Sequence, residues 1–388
     1  MKVAIVHDCL REYGGAERVV EALHEIWPDA PVYTSFVDRK GLGIHAEKFK
    51  NWDIRTSWVQ HFPIIQRFIS PLRFLMPFIW NSFDFIRYDV VITSSGWFIS
   101  RGIVVHKPTI HVSYIHHPPR NLYGYATGSD LQKYWIVRAY ATVINFFLRQ
   151  YDFRAAQTVD YFIANSQETA RRVWKFYRRE SVVIYPPITV CDKAKNKHCP
   201  IVPLSHCYFL SVGRLTWAKR VDLVIKACNQ LKLPLVVVGT GKEEKYLKSI
   251  AACPPSVATE GASGRSSTIT FKGSVTDEEL DVLYRNTKAL IFSALDEDFG
   301  MVPVEAMAHG VPVIALAQGG VNETVIDKTT GVLFDKATVE SLAGALKHFQ
   351  KLSKSTSWAS ACRRQASKFS KTVFQNKLKA FIHNLLAS

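Results

Sequence analysis

Two series of short valine- and isoleucine-rich runs, most of them leading into a helical pattern, limit this chain to a narrow set of folds. The first series reads KVAIVH then AERVVEALHEI, DVVITSS, TIHVSYIH, YFIANS then ETARRVWKFY, and VVIYPP. The second restarts with YFLSVGR then VDLVIKACNQL, PLVVVGTG then EEKYLKSIA, ITFKGS then DEELDVLYRN, ALIFSAL then VEAMAHG, and VPVIAL. Short apolar strands followed by helices mean parallel sheets covered on both faces. Between the two series lies PPITVCDKAKNKHCPIVP, residues 186–203, with prolines, lysines and no apolar period. The expected architecture is α/β, with two doubly wound Rossmann-like domains, 1–190 and 203–370, joined by the linker 186–203. A chain of 388 residues, 47% hydrophobic, can fill two such cores. The tail KTVFQNKLKAFIHNLL sets Phe374, Leu378 and Phe381 at helical spacing, so 371–388 is expected to form a helix packed back on the first domain. The small, polar stretch 253–267 reads as a surface loop. Ligands of open parallel sheets bind outside the carboxyl ends of the strands, which places the expected site in a cleft where the two domains face one another.

Composition removes several function classes. The seven cysteines are odd in number, scattered, and never spaced C-x-x-C, which argues against a disulfide framework or a zinc ribbon. Cys191, His198, Cys199, His206 and Cys207 cluster in sequence but lack zinc spacing, and the thiols are read as reduced. The opening MKVAIVHD reads as a first strand and not as a secretory signal, so a cytoplasmic protein is expected. A net charge of +16 calls for an anionic partner. No helix-turn-helix, zinc finger or RNA-binding signature accompanies it, which leaves a phosphorylated ligand or an anionic membrane surface ahead of nucleic acid. The stretch 57–85 mixes aromatic and aliphatic residues with Arg67 and Arg73 and is broken by Pro63, Pro71 and Pro77. It is too interrupted to span a bilayer, and reads equally as an interfacial surface or as core helices of the first domain.

The segment DEDFGMVPVEA, 296–306, leaves the buried strand KALIFSAL and holds Glu297 and Glu305 around a glycine turn. Pro303 is suited to the first position of a helix, which puts Glu305 in the first turn and aims the N–H groups near Phe299, Gly300 and Met301 at a ligand. Taken singly, Glu305 reads as a helix cap and Glu297 as a solvated loop acid. Their company decides otherwise. The run ALDEDFGMVPVEAMAHGVPVIALAQGGVNETV resembles the E-x7-E signature of retaining family-4 glycosyltransferases of the GT-B fold. MKVAIVHDCLREYGGAERVVEAL is similar to that family's first strand and glycine loop, and FLSVGRLTWAKRVDLVIKA to its phosphate clamp. TSWVQ, YDVVITSS, YIHHPPRNLY and FIANS further resemble the branch of bacterial O-antigen mannosyltransferases. Where that branch is expected to carry an acid soon after Leu122, this chain has Tyr123, Gly124 and Tyr125.

The resemblance implies a nucleotide-sugar donor and a role for each residue. Breaking the bond from the anomeric carbon to a phosphate oxygen builds positive charge on the sugar and negative charge on the departing diphosphate. Arg214 and Lys219, in the loop after YFLSVGR, would neutralise the diphosphate, and Gly14 and Gly15 would let backbone approach it. Glu305 would hold the ribose hydroxyls, Glu297 would face the transferred sugar, and His116, ending the strand TIHVSY, would orient it. Retention suggests a front-face displacement in which the leaving phosphate takes the acceptor's proton, with no side-chain nucleophile. Asp296 and Asp298 also spell D-x-D, a pattern that holds a divalent metal in other transferases; the basic clamp already supplies that charge, and no metal is expected. The implied function is hexosyl transfer, with mannose from GDP-mannose ahead of a UDP-hexose, to a lipid-linked or surface-polysaccharide acceptor on the inner face of the membrane. A non-catalytic nucleotide-sugar binder is the alternative. A dinucleotide oxidoreductase is disfavoured, since no G-x-G-x-x-G follows the first strand.

Overall fold

The computed structural model describes residues 1–126, 134–188, 208–252, 268–352 and 358–387. The loop 253–267, linker residues 189–203 and the cysteine–histidine cluster from Cys191 to Cys207 lie outside these. Two compact units result. The first comprises Met1–Tyr125, Leu131–Pro187 and Lys371–Ser388, the second Ala126–Asp130 and Ile188–Ser370.

The first unit holds a parallel sheet of seven strands in the order β3-β2-β1-β4-β5-β6-β7. These are β1 (Val3–His7), β2 (Val32–Thr34), β3 (Ile54–Thr56), β4 (Val90–Ser95), β5 (Ile110–Ile115), β6 (Tyr161–Ala164) and β7 (Val182–Val183). Every residue of β1 and β4 is buried, because helices cover both faces of these central strands. On one face, Val19, Val20 and Leu23 of the helix Gly15–Ile26 meet Phe374, Leu378 and Ile382 of the C-terminal helix Lys371–Ala387. Phe374 stands edge-on to Tyr114 of β5, with ring centroids 5.8 Å apart. On the other face, Trp80, Phe85, Phe98 and Leu148 close a second core.

The second unit holds a parallel sheet of six strands in the order β10-β9-β8-β11-β12-β13. They span β8 (Tyr208–Val212), β9 (Leu235–Val238), β10 (Ile269–Gly273), β11 (Thr287–Phe292), β12 (Val313–Leu316) and β13 (Gly331–Phe334). In both sheets the order of strand addition reverses beside the first strand, between β1 and β4 and between β8 and β11, which is where such sheets open a binding crevice. The chain enters and leaves the second unit side by side, as Ile188 donates its N–H to the Phe369 carbonyl at 2.9 Å.

The stretch 57–85 divides residue by residue. Three short helical segments, Pro63–Arg67, Pro71–Leu75 and Met76–Trp80, each carry proline at the first or second position, where its missing N–H is not needed. Val59, Ile69, Met76, Ile79, Trp80 and Phe85 enter the core, while Phe62, Ile64, Phe68, Phe74 and Phe78 are exposed. Cys9, Cys228 and Cys362 are buried free thiols.

Candidate functional site

In the second unit, β8 and β11 are neighbours, and the loops leaving them are tied together. The Leu295 N–H donates to the Ala218 carbonyl at 2.8 Å, and the Ser293 hydroxyl donates to the carbonyls of Lys219 and Arg220 at 3.0 and 2.9 Å. The turn Trp217–Lys219 ends at Arg220 in the left-handed region, with φ +48°. It turns Lys219 onto the acidic loop, where Lys219 Nζ lies 2.7 Å from Glu297 Oε2. Both side chains keep partial access to solvent, 24% for Lys219 and 17% for Glu297. Arg214 is exposed two residues beyond β8. The glycines of VVVGTG serve this loop by close approach: a Cβ on Gly239 would fall 2.0 Å from the Gly213 carbonyl oxygen, and one on Gly241 2.2 Å from that of Leu215.

The acidic loop is backed by a glycine pair that residue chemistry alone does not single out. A Cβ on Gly319 would sit 2.1 Å from the Glu297 carbonyl oxygen, and one on Gly320 2.2 Å from that of Asp298. The Gly320 N–H donates to the Glu297 carbonyl at 2.9 Å, and Gln318 Nε2 donates to Asp296 Oδ1 at 3.1 Å. The sequence signal is AQGG directly after β12. Asp296 adopts φ +52° and Asp298 is buried, so the D-x-D pair belongs to a constrained turn. Among the described residues, no group of three or more histidine, cysteine or acidic side chains is placed to hold a metal.

The helix after the loop runs Met301–Ala308, capped by Gly300 at φ +86°. It starts two residues earlier than proline placement predicts: Pro303 is the third helical residue, and Glu305 falls just beyond the first turn, which contains no acid. The left-handed glycine, not the proline, sets the start. Glu305 is half-buried beside Tyr284, whose hydroxyl donates to Oε2 at 3.5 Å. His309 stacks on Tyr284 at 4.9 Å and binds the Glu305 carbonyl and Asp281 Oδ1, each at 2.8 Å. Phe299 turns its ring into the core against Phe369, leaving its backbone as the part that faces the turn.

In the first unit, His116 follows β5 directly and is almost wholly buried, with Nε2 2.7 Å from Ser94 Oγ of the adjacent β4. Burial, with His7 and His117 nearby, holds its pKa well below the usual 6.5. The Gly14 amide is already engaged: it donates to Glu17 Oε2 at 2.8 Å, closing the start of the helix Gly15–Ile26. Tyr123, standing near the position where an acid was expected, donates to Asp152 Oδ2 at 2.8 Å, so a carboxylate reaches this neighbourhood from the helix Trp135–Thr158. Asp152 also pairs with buried Arg101 and accepts from Tyr177.

A model described as Glycosyltransferase Family 4 matches residues 13–190, and one described as Glycosyl transferases group 1 matches residues 192–368. The chain is built of these two glycosyltransferase domains. Glycosyltransferase domains joined in this way have the GT-B fold, and HepE of Anabaena in complex with UDP shares it, with a TM-score of 0.69 and 18% identity over 99% of this chain and 100% of that one. Sucrose-phosphate synthase of Thermosynechococcus elongatus does too, with a TM-score of 0.69 and 16% identity over the whole of both chains. In sequence, D-inositol 3-phosphate glycosyltransferase of Mycobacterium tuberculosis is 27% identical over 201 residues. That match takes in 50% of this chain and 41% of the relative.

Proposed function

We propose that this chain is a retaining glycosyltransferase that moves a hexose from a nucleoside diphosphate sugar to a lipid-linked or surface-polysaccharide acceptor. The observation that carries the reading is the Lys219–Glu297 contact at 2.7 Å, a cation and a carboxylate at the carboxyl ends of neighbouring strands. Donor binding draws the Lys219 ammonium and the Arg214 guanidinium to the diphosphate, where charge builds as the glycosidic bond breaks. Glu297 then faces the electron-poor sugar. The backbone around Phe299, Gly300 and Met301 supplies donors for sugar hydroxyls, Glu305 takes the ribose, and His116 orients the sugar from the first unit. Gly15 keeps the approach to the first helix clear, with Gly14 occupied by Glu17. The departing phosphate accepts the acceptor's proton, and the two cations provide the charge that a metal would otherwise bring.

Two donors compete. Resemblance to O-antigen mannosyltransferases favours GDP-mannose, whereas HepE is known in complex with UDP and with UDP-glucose, which favours a UDP-hexose. Thermal-shift titration with GDP and UDP, followed by turnover of a nucleotide-sugar panel in excess chelator, separates them. Stabilisation by one diphosphate and turnover of its sugar supports the reading. Tight binding without turnover of any donor would make the chain a nucleotide-sugar-binding protein instead.

The acceptor side is proposed to lie on an anionic membrane. No helix among the described residues is long and apolar enough to cross one. The helix Trp135–Thr158 instead exposes Trp135, Ile136, Val143, Phe146 and Phe147, each more than half accessible. Its sole carboxylate, Asp152, is buried, while Arg138, Arg149 and Arg154 stay at the surface. Arg73 Nη2 donates to Asn145 Oδ1 at 2.6 Å and the Tyr140 hydroxyl donates to the Pro71 carbonyl, which joins this helix to the exposed phenylalanines of 62–78. An apolar patch ringed by arginine without exposed acids on the helix matches the interfacial zone of an acidic bilayer.

A further inference from the structure

Beneath His116 lies a chain of buried polar groups that no role proposed above uses. His7, Ser94 and His116 stand at the carboxyl ends of β1, β4 and β5, the three central strands of the first sheet, with His7 in register with Ser94. His7 Nε2 is 3.4 Å from Glu17 Oε1, and His7 Nδ1 is 3.1 Å from Ser94 Oγ and 3.2 Å from the Ser94 carbonyl. Ser94 Oγ is 2.7 Å from His116 Nε2. Glu17, His7 and Ser94 are 7%, 2% and 0% exposed, so no solvent competes for these bonds.

We infer that Glu17, His7 and Ser94 form a relay that fixes His116 with its proton on Nδ1, so that the histidine meets its ligand as a hydrogen-bond donor and not as a base. The polarity follows from what each end can do. A carboxylate only accepts, so His7 Nε2 donates to Glu17. A carbonyl also only accepts, so His7 Nδ1 donates toward Ser94, shared by the carbonyl and Oγ. The serine oxygen could accept from both rings, but its own proton is shut away from water and His116 Nε2 is the acceptor that the described residues offer it, so Nε2 is the bare nitrogen of that ring. A neutral His116 keeps its one proton on Nδ1, and no described group bonds that atom.

The charges agree with this direction. Burial opposes a proton on His7, but Glu17 and Asp8 outweigh it and raise its pKa above 6.5. Burial first, and then the nearby His7 and His117, keep His116 neutral. Asp8 is anchored separately, accepting from the amides of Gly96, Phe98 and Ser100 at 2.9–3.0 Å. It fixes the loop after β4, and with it the end of the strand that carries Ser94. Glu17, His7 and Ser94 are thus positioning residues acting through His116, and only the last would touch the sugar.

The ring pattern is readable without any assay. In full-length protein with nitrogen-labelled histidine, long-range proton–nitrogen spectra show which ring nitrogen carries hydrogen, and the spectrum of His116→Gln assigns the signals. The relay predicts a bare Nε2 and a protonated Nδ1 for His116, the reverse of the tautomer that imidazole prefers in water. Ser94→Ala is expected to return His116 to the Nε2–H form. It is also expected to lower kcat by about tenfold, the worth of one hydrogen bond, with donor KM nearly unchanged. A protonated Nε2 in the unmodified protein, or a Ser94→Ala variant with unchanged tautomer and kcat, would overturn the relay. The functional half rests on His116 facing the sugar, and the two fail separately: full turnover by His116→Gln would remove the histidine from the site while leaving the tautomer pattern intact.

Discussion

Lys219 and Glu297 satisfy one another, so a diphosphate has to compete with a carboxylate for the ammonium. Ion pairs with this much access to water contribute on the order of 1 kcal/mol or less, which a doubly charged ligand readily exceeds. The His7–Glu17 pair differs, being shut away from water, and it makes stability depend on pH. Because the folded pKa of His7 lies above its unfolded value, its contribution is complete below about pH 6.5 and is lost as pH rises through the raised value. The stability advantage of the unmodified protein over Glu17→Gln, measured by denaturant unfolding, is therefore expected to be largest in mild acid and to shrink as pH rises through the raised pKa of His7. A difference that grows with pH would mean His7 is neutral. The placing of Lys219 and Glu297 in loops that follow apolar strands was legible in the sequence, because the runs YFLSVGR and KALIFSAL lead directly into them. Ser94 and Tyr284 were not, since their partners His7 and Glu305 lie 87 and 21 positions away; strand register brings the first pair together and the meeting of two helices the second.

Among the elements, ten of the thirteen described strands announced themselves, whereas the short strands β2, β3 and β13 and the long helix Trp135–Thr158 did not. The runs VAIVH and VVITSS are buried on every residue, so burial and sequence carry the same signal. The helix Trp135–Thr158 hides because its outward face is as apolar as its inner one, which erases the periodicity that marks an amphipathic helix. The same property makes it the element to test against lipid. The chain is expected to float with acidic liposomes and not with neutral ones. Replacing Phe146 and Phe147 together by serine should weaken partition by about tenfold or more, given the apolar area each ring withdraws from water. Equal flotation of that variant would remove this helix from the contact. The start of the helix Met301–Ala308 was misplaced for a related reason: proline tolerates several first-turn positions, whereas a left-handed glycine permits only the cap.

At the scale of the whole molecule, the repeated strand–helix grammar fixed two parallel sheets because covering both faces of an apolar strand leaves few alternatives. The tail returns to the first unit, where Phe374 and Leu378 are buried, although the chain has by then passed through the second. A net charge of +16 says only that the partner is anionic; the arrangement of arginine around exposed aromatic rings is what gives it a direction. The central claim is chemical, that a carboxylate held by Lys219 acts on a sugar being separated from its diphosphate. It is tested most directly by kcat of Glu297→Ala with the nucleotide sugar that the unmodified protein turns over. The predicted result is a loss of about a hundredfold or more, with cooperative unfolding retained, because Glu297 is a loop side chain outside the core. Turnover at the unmodified rate would contradict the account.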